Sequence, residues 1–166
     1  MTPIRRALLA ILCLGLLARR RQLGRRVLIV DADLRSTRLS SRFGVAAGPG
    51  LRETLAAECD IRQAVKHTII ANLSILAAGA MRSNGHELLS GETLRLTFDY
   101  LRCAYDIVMV MTAPFGPVAD AQFVWSAAGG VFVITRRNCD SLAELKSLNT
   151  GLRQVDAAII GAALVS

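Results

Sequence analysis

Five short apolar runs constrain this chain more than any other feature. Residues 27–30 (VLIV), 73–76 (LSIL), 107–111 (IVMVM), 131–135 (VFVIT) and 158–164 (AIIGAAL) are continuous in their hydrophobicity, not alternating. That is the pattern of strands buried on both faces of a parallel sheet. Helical patterns separate them. Residues 51–57 and 61–65 are short. Residues 91–103 place Leu94, Phe98 and Leu101 on one face, and residues 118–127 are mostly apolar. Residues 141–155 carry Leu142, Leu145, Leu148, Leu152 and Val155 at three- and four-residue steps, with Asp140 or Ser141 placed to cap the start. Strands alternating with helices predict an α/β fold with a doubly wound, mostly parallel sheet.

The 166 residues suffice for one domain, and 52% apolar content excludes a disordered chain. No apolar run reaches the roughly 18–20 residues of a membrane-spanning helix. The net charge of +7 is concentrated at one end: residues 1–26 hold seven arginines (Arg5, Arg6, Arg19, Arg20, Arg21, Arg25, Arg26) and no acid. The remainder is neutral, so nucleic-acid binding by residues 27–166 is not expected. Cys13, Cys59, Cys103 and Cys139 form no C-x-x-C pair, and there are only two histidines, which argues against structural zinc and for incidental thiols.

Residues 1–26 read as a separate basic and apolar helix. The run at 7–18 (ALLAILCLGLLA) is apolar on every side and too short to span a bilayer. No small-x-small cleavage site follows it, and three consecutive arginines do, which weighs against an export signal. Gly24 stands where a helix C-cap glycine would, just before the first strand.

In open α/β sheets, ligands bind beyond the carboxyl ends of the strands. The first strand runs into Asp31-Ala32-Asp33-Leu34-Arg35. Two carboxylates there can hold a hydrated Mg²⁺ or orient a water, or one of them can simply cap a short helix at 36–43. The third run ends in Met111-Thr112-Ala113-Pro114-Phe115-Gly116, an ordinary turn in which Met111 cannot ligate Mg²⁺. Asp120 reads as a first-turn acid complementing a helix dipole.

The stretch from Gly24 to Arg35 closely resembles the segment after the P-loop helix in bacterial tyrosine kinases of exopolysaccharide and capsule synthesis. Those kinases are ParA/MinD-like deviant-Walker P-loop ATPases. Further matches are Phe43-Gly44 with Pro49-Gly50-Leu51 ("LFG…PGL"), residues 72–79 ("NLxxLPAG") and residues 84–89 ("NPxELL", with Gly85 for Pro). Residues 105–108 match "YDxV" and residues 118–121 match "VxDA". The resemblance covers about residues 22–164. It implies a cytoplasmic tyrosine autokinase domain using ATP and Mg²⁺, able to form a homo-oligomer and working with a membrane polysaccharide co-polymerase at the inner face of the membrane. It places Asp31 on the Walker A′ aspartate, near Mg²⁺ and the attacking hydroxyl. Asp33, Arg35 and Thr112 are the nucleotide-binding candidates it implies.

Departures from that pattern matter equally. The sequence contains no G-x-x-x-x-G-K-[ST], and its only lysines are Lys66 and Lys146. The strand preceding the P-loop is missing, and Met111 takes the Walker B aspartate position. The adenine-contacting Asn expected near Val165 and a tyrosine-rich tail are not found. Losing about three charge-assisted hydrogen bonds costs roughly 4.5–9 kcal/mol, comparable to the whole of a micromolar site at about 8 kcal/mol. The expectation is therefore a truncated or frame-disrupted relative of the kinases that binds ATP poorly. A missing internal strand would leave unpaired edges in the sheet. The alternatives are a ParA/MinD-type positioning module or a remnant without function.

Overall fold

The computed structural model describes residues 24–35, 48–80, 85–115, 120–137 and 139–165. Of the helix expected at 1–26, residues 24–26 are not helical. Residues 1–23 of it, and the helix expected at 36–43, lie outside the described residues. So do Phe43-Gly44, Asn84 and Val118-Ala119 of the resemblance.

All five expected strands form. They are β1 (Val27–Asp31), β3 (Leu73–Leu76), β4 (Ile107–Met111), β5 (Gly130–Arg136) and β6 (Ala158–Val165). A sixth, β2 (Val65–His67), was not legible, because three residues including Lys66 and His67 carry no apolar run. It is a half-buried edge strand, antiparallel to β3. The helices are α1 (Leu51–Leu55), α2 (Ile61–Ala64), α3 (Gly85–Ser90), α4 (Glu92–Ala104), α5 (Asp120–Ala128) and α6 (Leu142–Gln154). Helix α3 is too short for periodicity to reveal. At the start of α6 the choice of cap is decided: Ser141 Oγ accepts from the Glu144 N–H, and Glu144 reaches back to the Ser141 N–H. Asp140 instead accepts from the Arg136 N–H at 2.7 Å.

Four strands pair in the order β2-β3-β1-β4, and β5 and β6 form a separate parallel pair. β1 lies between β3 and β4, parallel to both, with Asp31 opposite Met111. The fold is thus mixed α/β with a parallel-dominated sheet, and strands β1 and β3 are buried at every residue. Leu28 and Val30 face a core with Leu76, Leu89, Phe98 and Leu101. Val27 and Ile29 face the other way, with Leu73, Ile75 and Met111. The alternation along β1 splits one continuous apolar run between two clusters, as a doubly buried strand requires.

Several matched sequence features turn out to be joints of the scaffold. Asn72 sits at φ +63°, a left-handed conformation that Asn tolerates, and its carbonyl accepts from Val27 at the start of β1. Asp106 accepts from the Arg26 N–H at 2.7 Å, tying the amino ends of β1 and β4. Gly50 and Leu51 lie against the exit of β3, where the Leu51 N–H donates to the Ala77 carbonyl at 2.7 Å. Gly24 adopts φ +62°, the conformation of a C-cap glycine. Cys103 and Cys139 are exposed free thiols, and Cys59 is a half-buried one.

Candidate functional site

The carboxyl ends of β1 and β4 are held together by the Ala32 N–H, which donates to the Met111 carbonyl at 2.7 Å. The chain then turns, and the Asp33 N–H reaches back to Asp31 Oδ1 at 3.2 Å. Both carboxylates are buried. Together with Thr112 they line one end of a cavity of about 580 Å³ between β4 and β5. Thr112 Oγ1 donates to the Ala113 carbonyl at 3.0 Å. Asp31, Asp33 and Thr112 therefore share one space.

Arg35 does not line that cavity. Its Nε donates to Asp120 Oδ2 at 2.9 Å. Asp120 Oδ1 lies 2.8 Å from His86 Nδ1, which presents its N–H to the carboxylate, and the His86 ring meets Phe123 edge-on at 5.4 Å. Asp120 is a first-turn acid of α5, as its sequence position suggests, but it also ties the segment after β1 to helix α3. Sequence reasoning gave His86 no role, because its partner is 34 residues away and His86 fills the unspecified position of the "NPxELL" match. Asp120→Ala is expected to destabilise the fold by about 1–2 kcal/mol: the carboxylate is buried, but Arg35 and His86 are half exposed and partly screened. Urea unfolding of both chains measures this.

Mg²⁺ takes oxygen ligands, commonly one or two carboxylates plus substrate phosphates. Asp31 and Asp33 fit the metal end of such an arrangement, whereas Met111, opposite Asp31, supplies no oxygen side chain. Among the described residues, no cationic side chain lines the phosphate end. Phosphates need guanidinium, ammonium or a cradle of backbone N–H groups. Among the described residues the cavity is lined by Asp31, Asp33, Asp140 and Glu144, and by no lysine or arginine. Nor does any group of three or more His, Cys, Asp or Glu among the described residues form a metal site by itself.

No family model matches the chain. Relatives are nevertheless clear. The chain is 33% identical over 138 residues to the putative tyrosine-protein kinase EpsB of Ralstonia nicotianae, which covers 83% of this chain and 18% of that protein. Among solved structures, the kinase domain of the Escherichia coli tyrosine kinase ETK superposes with a TM-score of 0.81 at 28% identity, covering 88% of this chain and 57% of that one. The septum site-determining protein MinD of Pyrococcus horikoshii, solved with Mg-ADP, gives 0.72 at 25% identity, covering 86% and 58%. The chain spans less than a fifth of the length of the EpsB relative. It is a homologue of the bacterial tyrosine-protein kinases of the EpsB and ETK type, with the P-loop NTPase-like α/β fold of their kinase domain.

Proposed function

We propose that this chain is the Walker A′ half of a tyrosine-kinase-type ATPase domain of exopolysaccharide or capsule biosynthesis, and that alone it holds Mg·ATP poorly. One observation carries the reading. Asp31 and Asp33 stand together at the carboxyl end of the central strand, yet the cavity they line offers phosphate no cation among the described residues. Asp31 is the candidate Mg²⁺ and catalytic carboxylate. Asp33 and Thr112 are the candidate nucleotide contacts, while Arg35 pairs with Asp120 outside the cavity. ATP and Mg²⁺ are the cofactors that the relatives suggest. A membrane polysaccharide co-polymerase is the partner this reading assigns, with the domain on the cytoplasmic side of the membrane. No helix among the described residues is long and apolar enough to cross a membrane. The positioning-ATPase reading has weaker support, since the superposition on MinD is poorer than that on the ETK kinase domain.

Calorimetric titration of the 166-residue chain with Mg·ATP and Mg·ADP tests this. No saturable heat is expected up to roughly 1 mM, where a site would contribute only about 4 kcal/mol. Saturable micromolar binding, or transfer of labelled phosphate to Tyr100 or Tyr105, would overturn the reading.

A further inference from the structure

A second cavity, of about 490 Å³, opens at the other end of the sheet from Asp31 and Asp33. Arg26, which precedes β1, lines it, so it lies about 17 Å along that strand from Asp31. Helix α2 supplies Arg62, and the β2–β3 pair supplies His67 and Ser74. The last turns of α4 supply Tyr100, with Tyr105 just after them. Among the described residues no carboxylate lines this cleft.

Its polar lining has donors to spare. Arg62 Nε donates to the Tyr100 phenol oxygen at 3.3 Å. That contact leaves the two terminal nitrogens of Arg62, and the phenol proton itself, for a ligand. The Arg26 guanidinium meets Asp106 only at 3.9 Å, beyond hydrogen-bond reach. His67 Nδ1 and Ser74 Oγ lie 3.1 Å apart, where the two residues stand opposite each other on β2 and β3. Ser74 is buried, so the imidazole is anchored from inside the fold. Two acids flank the arginines, and both accept from main-chain N–H groups: Asp106 from Arg26, and Asp60 from Arg62 as the cap of α2.

A cleft rich in donors and lined by no carboxylate selects an anion. Two guanidiniums, a phenol and an imidazole offer more than the two oxygens of a carboxylate can use. They match the three oxygens and near-double charge of a phosphate monoester. Ile61, Val65 and Leu101 also line the cleft, so the ligand carries an apolar body behind its charged head. We propose that this cleft binds a phosphate monoester on an aromatic group, whether a small aryl phosphate or a phosphorylated tyrosine side chain. Arg62 and Arg26 hold the phosphate, the Tyr100 hydroxyl adds a donor, and the ring packs on the apolar residues. A magnesium nucleotide carries its β- and γ-phosphate oxygens on the metal and is not the ligand. The site therefore holds or fails independently of the nucleotide reading.

The chain has two histidines, and only His67 lines the cleft, so proton NMR of the imidazoles locates the binding. The full chain would be titrated with phenyl phosphate by calorimetry and by NMR. Saturable binding with Kd below about 1 mM is expected, moving the His67 signals and leaving those of His86 in place. Inorganic phosphate lacks the ring, and benzyl alcohol lacks the charge. Each is expected to bind at least about tenfold more weakly. Arg62→Gln is expected to weaken phenyl phosphate at least about tenfold at unchanged Tm, because the side chain is exposed and the N–H that meets Asp60 is retained. No binding overturns the proposal. So does equal binding of either control, movement of His86 alone, or an Arg62→Gln chain that binds as wild type does. Acetyl-phosphotyrosine-amide then separates the sources: binding tighter than that of phenyl phosphate supports a polypeptide ligand, and weaker binding supports a free aryl phosphate.

Discussion

Gly50→Ala is expected to destabilise the protein by about 3 kcal/mol or more, the upper range of overpacking costs. The reason is a close approach of two backbones. A Cβ at Gly50 would lie 2.3 Å from the Ala77 carbonyl oxygen and 2.5 Å from the Gly79 nitrogen. Neither atom can yield as a flexible side chain would. Both belong to the segment leaving β3, and the Leu51 N–H donates to that same Ala77 carbonyl at 2.7 Å. Backbone conformation is not the difficulty, since Gly50 is extended at φ −143°. Gly48→Ala is the control. There the nearest heavy atom to the added carbon is Lys66 Cε at 4.0 Å, and a change within about 0.5 kcal/mol is expected. Comparing the urea midpoints of the two variants decides the point. An unchanged midpoint for Gly50→Ala would mean that the α1–β3 joint is looser than drawn.

Glu53 gives the second large effect, at the same joint. Its Oε2 accepts from the Gly50 N–H at 2.7 Å and its Oε1 from the Ala80 N–H at 2.9 Å. Burial alone would push this carboxyl up. The N–H groups of Ala80, Gly50 and Glu53 itself, with the Arg52 guanidinium, outweigh it and hold the group below its ordinary value of 4.5. Glu53→Gln retains one acceptor oxygen and turns an NH₂ toward an N–H donor. The expected cost near neutral pH is about 2–4 kcal/mol. The pH dependence follows from the sign of the shift. A carboxyl depressed in the folded state adds stability that is full above 4.5 and is lost as pH falls through the folded value. The gap between wild type and Glu53→Gln should therefore narrow below about pH 4.5. A gap constant between pH 7 and pH 3 would show that the charge contributes nothing.

These two residues also change the meaning of the sequence matches. Pro49-Gly50-Leu51 and the passage ending in Gly79 look like site motifs when read along the chain. In the folded protein they touch one another. Gly79, at φ +90°, leaves room for the Glu53 carboxylate, which a Cβ would meet at 2.0 Å. Asn72 and Asp106 likewise tie strands together. Most of the recognisable pattern marks where backbones cross closely. Such places restrict residue identity as strongly as chemistry does, and a linear reading has no means to separate the two.

The strands were legible because a run buried on both faces must be apolar throughout. β1 and β3 show it, with every residue buried. Helix α6 was legible from its leucine spacing, although Leu142 is exposed and the stripe is buried only around Gly151 and Leu152. The lack of a phosphate-binding lysine near the first strand was also plain, since composition alone excludes it. β2 escaped because an edge strand half in water needs no apolar run, and α3 escaped because six residues hold fewer than two turns.

By itself, then, the sequence determined which segments are strands, which carboxylates stand at the end of the first of them, and that its only lysines are Lys66 and Lys146. These are local properties, written in hydrophobicity and residue type. Tertiary structure alone decided that Arg35 turns to Asp120, which also holds His86, instead of the cavity. It also decided that β4 and β5 line one cavity together with Asp31, Asp33, Asp140 and Glu144. The Arg35–Asp120 pair alone joins residues 85 positions apart. Only the packing of helices on a common sheet sets which distant side chains meet, and no periodicity along the chain records it.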